Sequence, residues 1–365
     1  MSHVTSGISF ILALLLILKT LWDGFSFINL SRKTERGLST DQFIEVQFWR
    51  LFRFIYRNVS STKTKDRILT LYAPTVITVL IMIWLLCLIV GFAVLSWSFG
   101  EEIKGVQGKA TLDDYLYLSG VTLFTLGYGD LSPASTFGHI YSLIEVACGY
   151  SFLAVIIGFV PTITSAYAER EVGLMRIHLQ TGMTFSATGI LHKLVPNRDM
   201  PNAHLFFRDC SDWILKTYFV QNCYPILAYH RGKKRKATWL SGTIVLMDLA
   251  AISLAWFNLT DDRSAQNLFL LGLEELREFC LIFDIKVDRS RKHDRINPEQ
   301  INQLWQECSD MGFPMKDHGN PKAQFDSLLN EYYCYVVALS EYLLIPIPGI
   351  IQQDLEHMEP VHRIF

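Results

Sequence analysis

The residues whose types and spacing could do chemistry are Thr125, Leu126, Gly127, Tyr128, Gly129 and Asp130. They read Thr, apolar, Gly, aromatic, Gly, acid. Successive carbonyls can point the same way only where alternate residues take dihedrals that side chains resist, and Gly127 and Gly129 supply such positions. A row of carbonyls can stand in for the water shell of a monovalent cation. The Thr125 hydroxyl adds an oxygen at one end, and Asp130 sets a carboxylate at the other. Tyr128, between the glycines, can brace the loop. The competing reading is an ordinary Gly-Tyr-Gly turn closed by an Asp, which many loops contain.

The flanking stretches decide between the two. Residues 111–124 open with Thr111 and Asp114 at capping-box spacing, with Asp in place of the usual Glu. The run is too short to span a bilayer and ends at the hexapeptide, so it reads as a re-entrant helix. Irregular backbone is tolerated at membrane depth only where protein or a water-lined path shields it. Residues 71–97 and 137–160 are long enough to cross. Pro74 falls near the start of the first, where a missing amide is tolerated. Gly149 interrupts the second and Pro161 marks its inner end, a candidate hinge pair for gating, with the helix continuing past Tyr167 and Glu171. Glu145 is an acid inside a spanning helix, which makes it a functional candidate by default. Either it faces the conduction cavity or it bonds to the re-entrant helix behind the loop; we favour the second.

Two further stretches precede these. Residues 8–22 form an apolar run with Lys19, Arg32 and Lys33 after its start and no basic residue before it. A secretory signal would carry its positive charge first. We read an uncleaved membrane helix with its N-terminus outside. Residues 41–57 place Ile44, Phe48, Leu51, Phe52 and Ile55 at helical spacing, with Arg50, Arg53 and Arg57 on another side. This helix either lies in the cytoplasmic interface or packs on a cytoplasmic domain. Lys63, Lys65 and Arg67 before the next apolar run place it inside. Glu101, Glu102, Asp113 and Asp114 could gather cations near the outer mouth, although a solvated loop is the plainer reading.

The segment Tyr117-Leu118-Ser119-Gly120-Val121-Thr122-Leu123-Phe124-Thr125-Leu126-Gly127-Tyr128-Gly129-Asp130-Leu131-Ser132-Pro133 resembles the pore of tetrameric potassium channels with two helices and one pore loop per subunit. Gly138 and Gly149 match glycines at the start and hinge of the inner helix. The resemblance implies a homotetramer in membrane lipid, with potassium held by Thr125, Leu126, Gly127 and Tyr128 and transported without a cofactor. Three positions depart from the commoner pattern. Leu126 replaces Val, Phe124 stands where a small Thr is frequent, and Val121 stands where some relatives place a Glu that holds the filter's Asp. Tyr117 is then the candidate partner of Asp130. Asp23-Gly24-Phe25, Glu169-Arg170-Glu171-Val172 and Tyr224-Pro225-Ile226-Leu227-Ala228-Tyr229 are similar to segments of a bacterial group with an extra N-terminal helix and a helical C-terminal domain.

The expected fold is therefore an all-α membrane protein. An N-terminal transmembrane helix occupies 1–30, a cytoplasmic amphipathic segment 31–70, the pore domain 71–168 and a helical cytoplasmic domain 169–365, in a plasma membrane, the inner one in a bacterium. The 365 residues are half hydrophobic and carry a formal charge of −2, which argues against a nucleic-acid partner. Seven scattered cysteines show neither metal spacing nor a disulfide framework. No spanning stretch carries arginines at every third position, so a voltage sensor is not indicated. His178, His192, His204 and His230 lack a catalytic constellation, and no enzyme is expected. Beyond residue 170, stretches 205–220, 264–283, 298–311 and 323–344 read as helices. Residues 237–257 are apolar enough to span but contain Asp248. We read them as the buried central helix of the C-terminal domain; the alternative puts everything after Asn258 outside. The rival functions are a weakly selective cation channel and a non-conducting membrane sensor or scaffold. The regulatory ligand is not legible.

Overall fold

The structure, a computed structural model, describes residues 3–29, 40–180, 186–194, 203–231, 238–258, 262–317 and 319–351. The chain divides into two compact units, Met1–Ser165 and Ala166–Phe365, a break three residues before the one expected from sequence.

In the first unit, α1 (His3–Asn29) packs along α3 (Thr62–Phe99). Both exceed the apolar runs that announce them. At about 1.5 Å per residue α1 is roughly 40 Å long and α3 about 57 Å, enough to cross a bilayer. Because α3 begins at Thr62, Pro74 lies inside the helix and not in its first turn, a correction to the sequence reading. Pro74 has no amide to give the Thr70 carbonyl. The Asp-Gly-Phe segment of α1 owes its glycine to packing: a Cβ on Gly24 would stand 2.4 Å from the Phe152 ring. Phe27 of α1 meets Trp84 and Phe159 edge-on at 5.4 and 5.2 Å.

The amphipathic segment forms α2 (Thr40–Asn58), which packs on the first turns of α3. Trp49 and Phe52 stand edge-on to Tyr72 at 4.9 and 5.2 Å, and the Tyr72 hydroxyl donates to the Glu45 carbonyl at 2.9 Å. After α3, a two-residue strand β1 (Ile103–Lys104) pairs antiparallel with β2 (Ser132–Pro133). Between them lie the short helix α4 (Leu112–Leu123) and the hexapeptide loop. The helix α5 (Thr136–Gln180) follows, and the boundary between the units falls within it.

The second unit contains α6 (Ala187–Leu194), α7 (Ala203–Cys223), a 3-10 turn (Pro225–Tyr229), α8 (Trp239–Trp256), α9 (Asp262–Ile282), α10 (Pro298–Asp310) and α11 (Pro321–Leu343). Four helices among the described residues are long and apolar enough to cross a membrane, including α8. In α8, however, 94% of the apolar window is buried inside the protein, against 22%, 44% and 22% in the windows of α1, α3 and α5. Helices α6, α9 and α11 surround it. Asp248, fully buried, receives both guanidinium nitrogens of Arg295, at 2.7 and 2.5 Å, and the Tyr332 hydroxyl. A buried carboxylate is tolerable only with such partners. The cost that Asp248 would carry in lipid is thus met within the unit. Arg170, another buried cation, donates to the carbonyls of Leu227 and His230 at 2.8 and 2.9 Å and so ties α5 to the 3-10 turn.

Candidate functional site

Helix α4 positions the loop. The Asp114 carboxylate accepts from the Thr111 amide at 2.7 Å and from its hydroxyl at 2.9 Å, closing the first turn. At the other end, the Leu126 amide donates to the Val121 carbonyl at 2.9 Å and the Thr125 amide to the Thr122 carbonyl at 3.0 Å. These are the paired bonds of a Schellman ending, which places Thr125 at the left-handed position usually given to glycine. Its φ is +54°. Positive φ recurs at Gly127 (+59°) and Gly129 (+77°), so every second residue of the loop is left-handed. A β-branched residue in that region is strained, and strain of this kind gathers at functional sites. Sequence reading assigned the unusual dihedrals to the two glycines and missed Thr125.

All six loop residues are exposed in the single chain, with Tyr128 at 69% and Leu126 at 53%. Phe124 is exposed as well, while Val121 is buried and serves the loop through its carbonyl. The Tyr117 hydroxyl donates to the Asp130 carboxylate at 2.7 Å, and this bond holds the carboxyl below its ordinary range. Gly105 approaches so closely that a Cβ there would lie 2.0 Å from the Asp130 carbonyl. The β1–β2 pairing thus presses the segment that follows α3 onto the end of the hexapeptide. No motif marks Gly105; a pairing between residues about thirty apart is not written in local sequence.

Glu101 is not simply a solvated charge near the mouth. Its carboxylate accepts from the Ser135 amide at 2.9 Å and hydroxyl at 2.7 Å, fixing the residue that precedes α5. Its carbonyl accepts from Tyr115 at 2.5 Å. Asp114 is likewise committed to its cap.

Glu145 is 3% exposed and accepts from the Ser119 hydroxyl at 2.5 Å. The Ser119 hydroxyl oxygen also lies 3.0 Å from the Ile89 carbonyl, so the acid sits behind α4 and does not look into an open cavity. Gly149, expected from sequence as a hinge, meets a packing demand: a Cβ there would stand 2.8 Å from the carbonyl of Leu123, the last residue of α4. Pro161 lies inside α5, where it cannot donate to the Ile157 carbonyl. Hydroxyls of Thr162 and Thr164 bond back to Gly158 and Val160 beside it, at 3.1 and 2.9 Å.

Among the described residues no group of three His, Cys, Asp or Glu could hold a metal ion. His192 pairs with Glu307 at 2.7 Å, and His230 stands edge-on to Tyr167. Burial pushes His230 down to about 4, which keeps it neutral at ordinary pH.

Residues 76–165 match the family model described as ion channel, which takes in α3 from Val76, α4, the loop and α5 to Ser165. The chain carries an ion-channel domain. It is 22% identical to the uncharacterized membrane protein YdjJ of Bacillus subtilis (strain 168) over 198 residues, covering 54% of this chain and 57% of that protein. It is 37% identical to Protein LctB of Bacillus caldotenax over 76 residues, 21% of this chain and 54% of that protein. The matches therefore span just over half the length of each relative. No solved structure matches the chain.

Proposed function

We propose that the chain is one subunit of a potassium-selective channel, with Thr125, Leu126, Gly127 and Tyr128 supplying the carbonyls that replace the ion's water shell. The observation that carries this reading is the alternation of positive φ at Thr125, Gly127 and Gly129, directly after a short capped helix inside the ion-channel domain. Alternate left-handed residues turn successive carbonyls to one side. One chain has one such loop, and a ring of carbonyls needs several. A homotetramer closed about an axis meets that need, and the exposure of Tyr128 and Leu126 in the single chain leaves those side chains for neighbouring copies. The C-terminal end of α4 directs the negative end of its dipole toward the conduction path, where it favours a cation. In this reading α1, α3 and α5 cross the membrane and the second unit is cytoplasmic.

The test is flux through protein reconstituted in sealed vesicles. Potassium should pass well ahead of sodium. Gly127→Ala and Gly129→Ala should abolish that preference, because each puts a Cβ on a left-handed residue. Equal passage of both ions through the unaltered protein would replace the reading with a weakly selective cation channel. No flux under any condition would replace it with a non-conducting sensor.

A further inference from the structure

Helix α2 uses one side only. Glu45 and Trp49 are buried against α3, at 6% and 3% exposed. At about 100° per residue, Phe43 and Phe54 point roughly 160–180° away from Glu45. They are 63% and 65% exposed, and Leu51 beside them is 51% exposed. Arg50 and Arg57, both exposed, border that apolar stripe along one edge. From Arg50 to Arg67 the chain carries Arg50, Arg53, Arg57, Lys63, Lys65 and Arg67 against the single acid Asp66.

The height of α2 on α3 matters as much as its faces. Helix α2 is anchored at Tyr72 by Trp49, Phe52 and the Glu45 carbonyl. The last charge of α3 before its apolar run is Arg67. Five residues of helix set Tyr72 about 7–8 Å deeper than Arg67. Interfacial helices bury their apolar face about 5–10 Å into the boundary between headgroups and acyl chains. An apolar stripe at that depth, edged by arginines, has the form of a surface for lipid. Each such cation near an anionic leaflet adds attraction.

We propose that α2 is a binding site for anionic phospholipid, with Phe43, Leu51 and Phe54 in the acyl boundary and Arg50 and Arg57 on the headgroup phosphates. The inference rests on the reading that α1 and α3 cross the bilayer. Tyr72 ties the site to α3, whose residues from Val76 onward lie in the ion-channel match: what α2 binds bears directly on the first turns of that helix.

The experiment places a photoreactive benzoylphenylalanine at position 54 of the full chain, in vesicles of phosphatidylcholine with or without an equal part of phosphatidylglycerol. The expected product is a lipid adduct in both. The proposal is overturned if position 54 links to protein, either a second copy or the second unit. In parallel, Arg50→Gln/Arg57→Gln should lower the phosphatidylglycerol retained through detergent exchange at least threefold, whereas Arg289→Gln/Lys292→Gln should not; equal retention overturns it too. Alkaline carbonate extraction keeps the two readings apart. A chain released by carbonate fails the spanning reading, and a chain that resists extraction but links to protein fails only the lipid site.

Discussion

Asp130 is held by a phenol and not by a carboxyl. In the proposed filter, the donors that hold this carboxylate decide how readily that end of the loop rearranges, and backbone amides at Asp130 and Leu131 share the task with Tyr117. Tyr117 is the side-chain donor, at 2.7 Å, and Gly105 packs against the Asp130 carbonyl. Tyr117→Phe removes the hydroxyl and leaves the ring. On the potassium-channel reading proposed above, conduction should still prefer potassium, because the backbone dihedrals stay as they are, but sustained flux should decay faster. Tyr117→Trp, whose indole N–H can donate, should restore part of the duration. Decay curves of the Phe variant that overlay those of the unaltered protein would show that Asp130 is held by something else. Thr125 makes a related point. Its left-handed φ follows from the Schellman ending of α4, a consequence of bonds to Val121 and Thr122 that no residue type announces.

Much was legible at the scale of elements. The apolar runs, the Thr111–Asp114 cap and the turn residues located α1 to α5, because each signal acts within a few residues. Helix ends were less legible: α3 absorbs the charged residues before its apolar run, which moved Pro74 from the first turn to the interior. Contacts between distant elements were not legible, and Gly149 is the instructive case. A glycine in a spanning helix reads as a hinge, yet this one also admits the Leu123 carbonyl. The two roles separate under Gly149→Ala. A hinge alone predicts an altered open fraction in a protein as stable as before. Close approach predicts that α4 must shift, with a lower unfolding temperature in detergent and weakened potassium preference as the loop moves with it. Tm and selectivity measured on one preparation distinguish them, and an unchanged Tm would return Gly149 to the hinge alone.

At the scale of the whole chain, the open question in the sequence was whether residues 237–257 cross the membrane. Composition cannot answer it, since a helix buried in protein and a helix buried in lipid share the same hydropathy. What separates them is the fate of the charge at the middle. Asp248 finds Arg295, 47 residues later in the chain, on a segment that sequence reading left without a role. Removing that partner leaves a buried carboxylate, so Arg295→Met should cost about 3–5 kcal/mol of stability, whereas changing both residues together to apolar ones should cost far less. The pair also fixes a topological expectation. A helix enclosed by α6, α9 and α11 keeps its two ends on one side of any membrane. Trypsin added to one face of sealed vesicles should therefore cut both around Arg231, ahead of α8, and within Arg289–Lys292, after α9, while the opposite face yields neither cut. Cleavage of the two segments from opposite faces would mean that α8 crosses the bilayer, and the Asp248–Arg295 pair would then have to form without the enclosure on which its stability is argued.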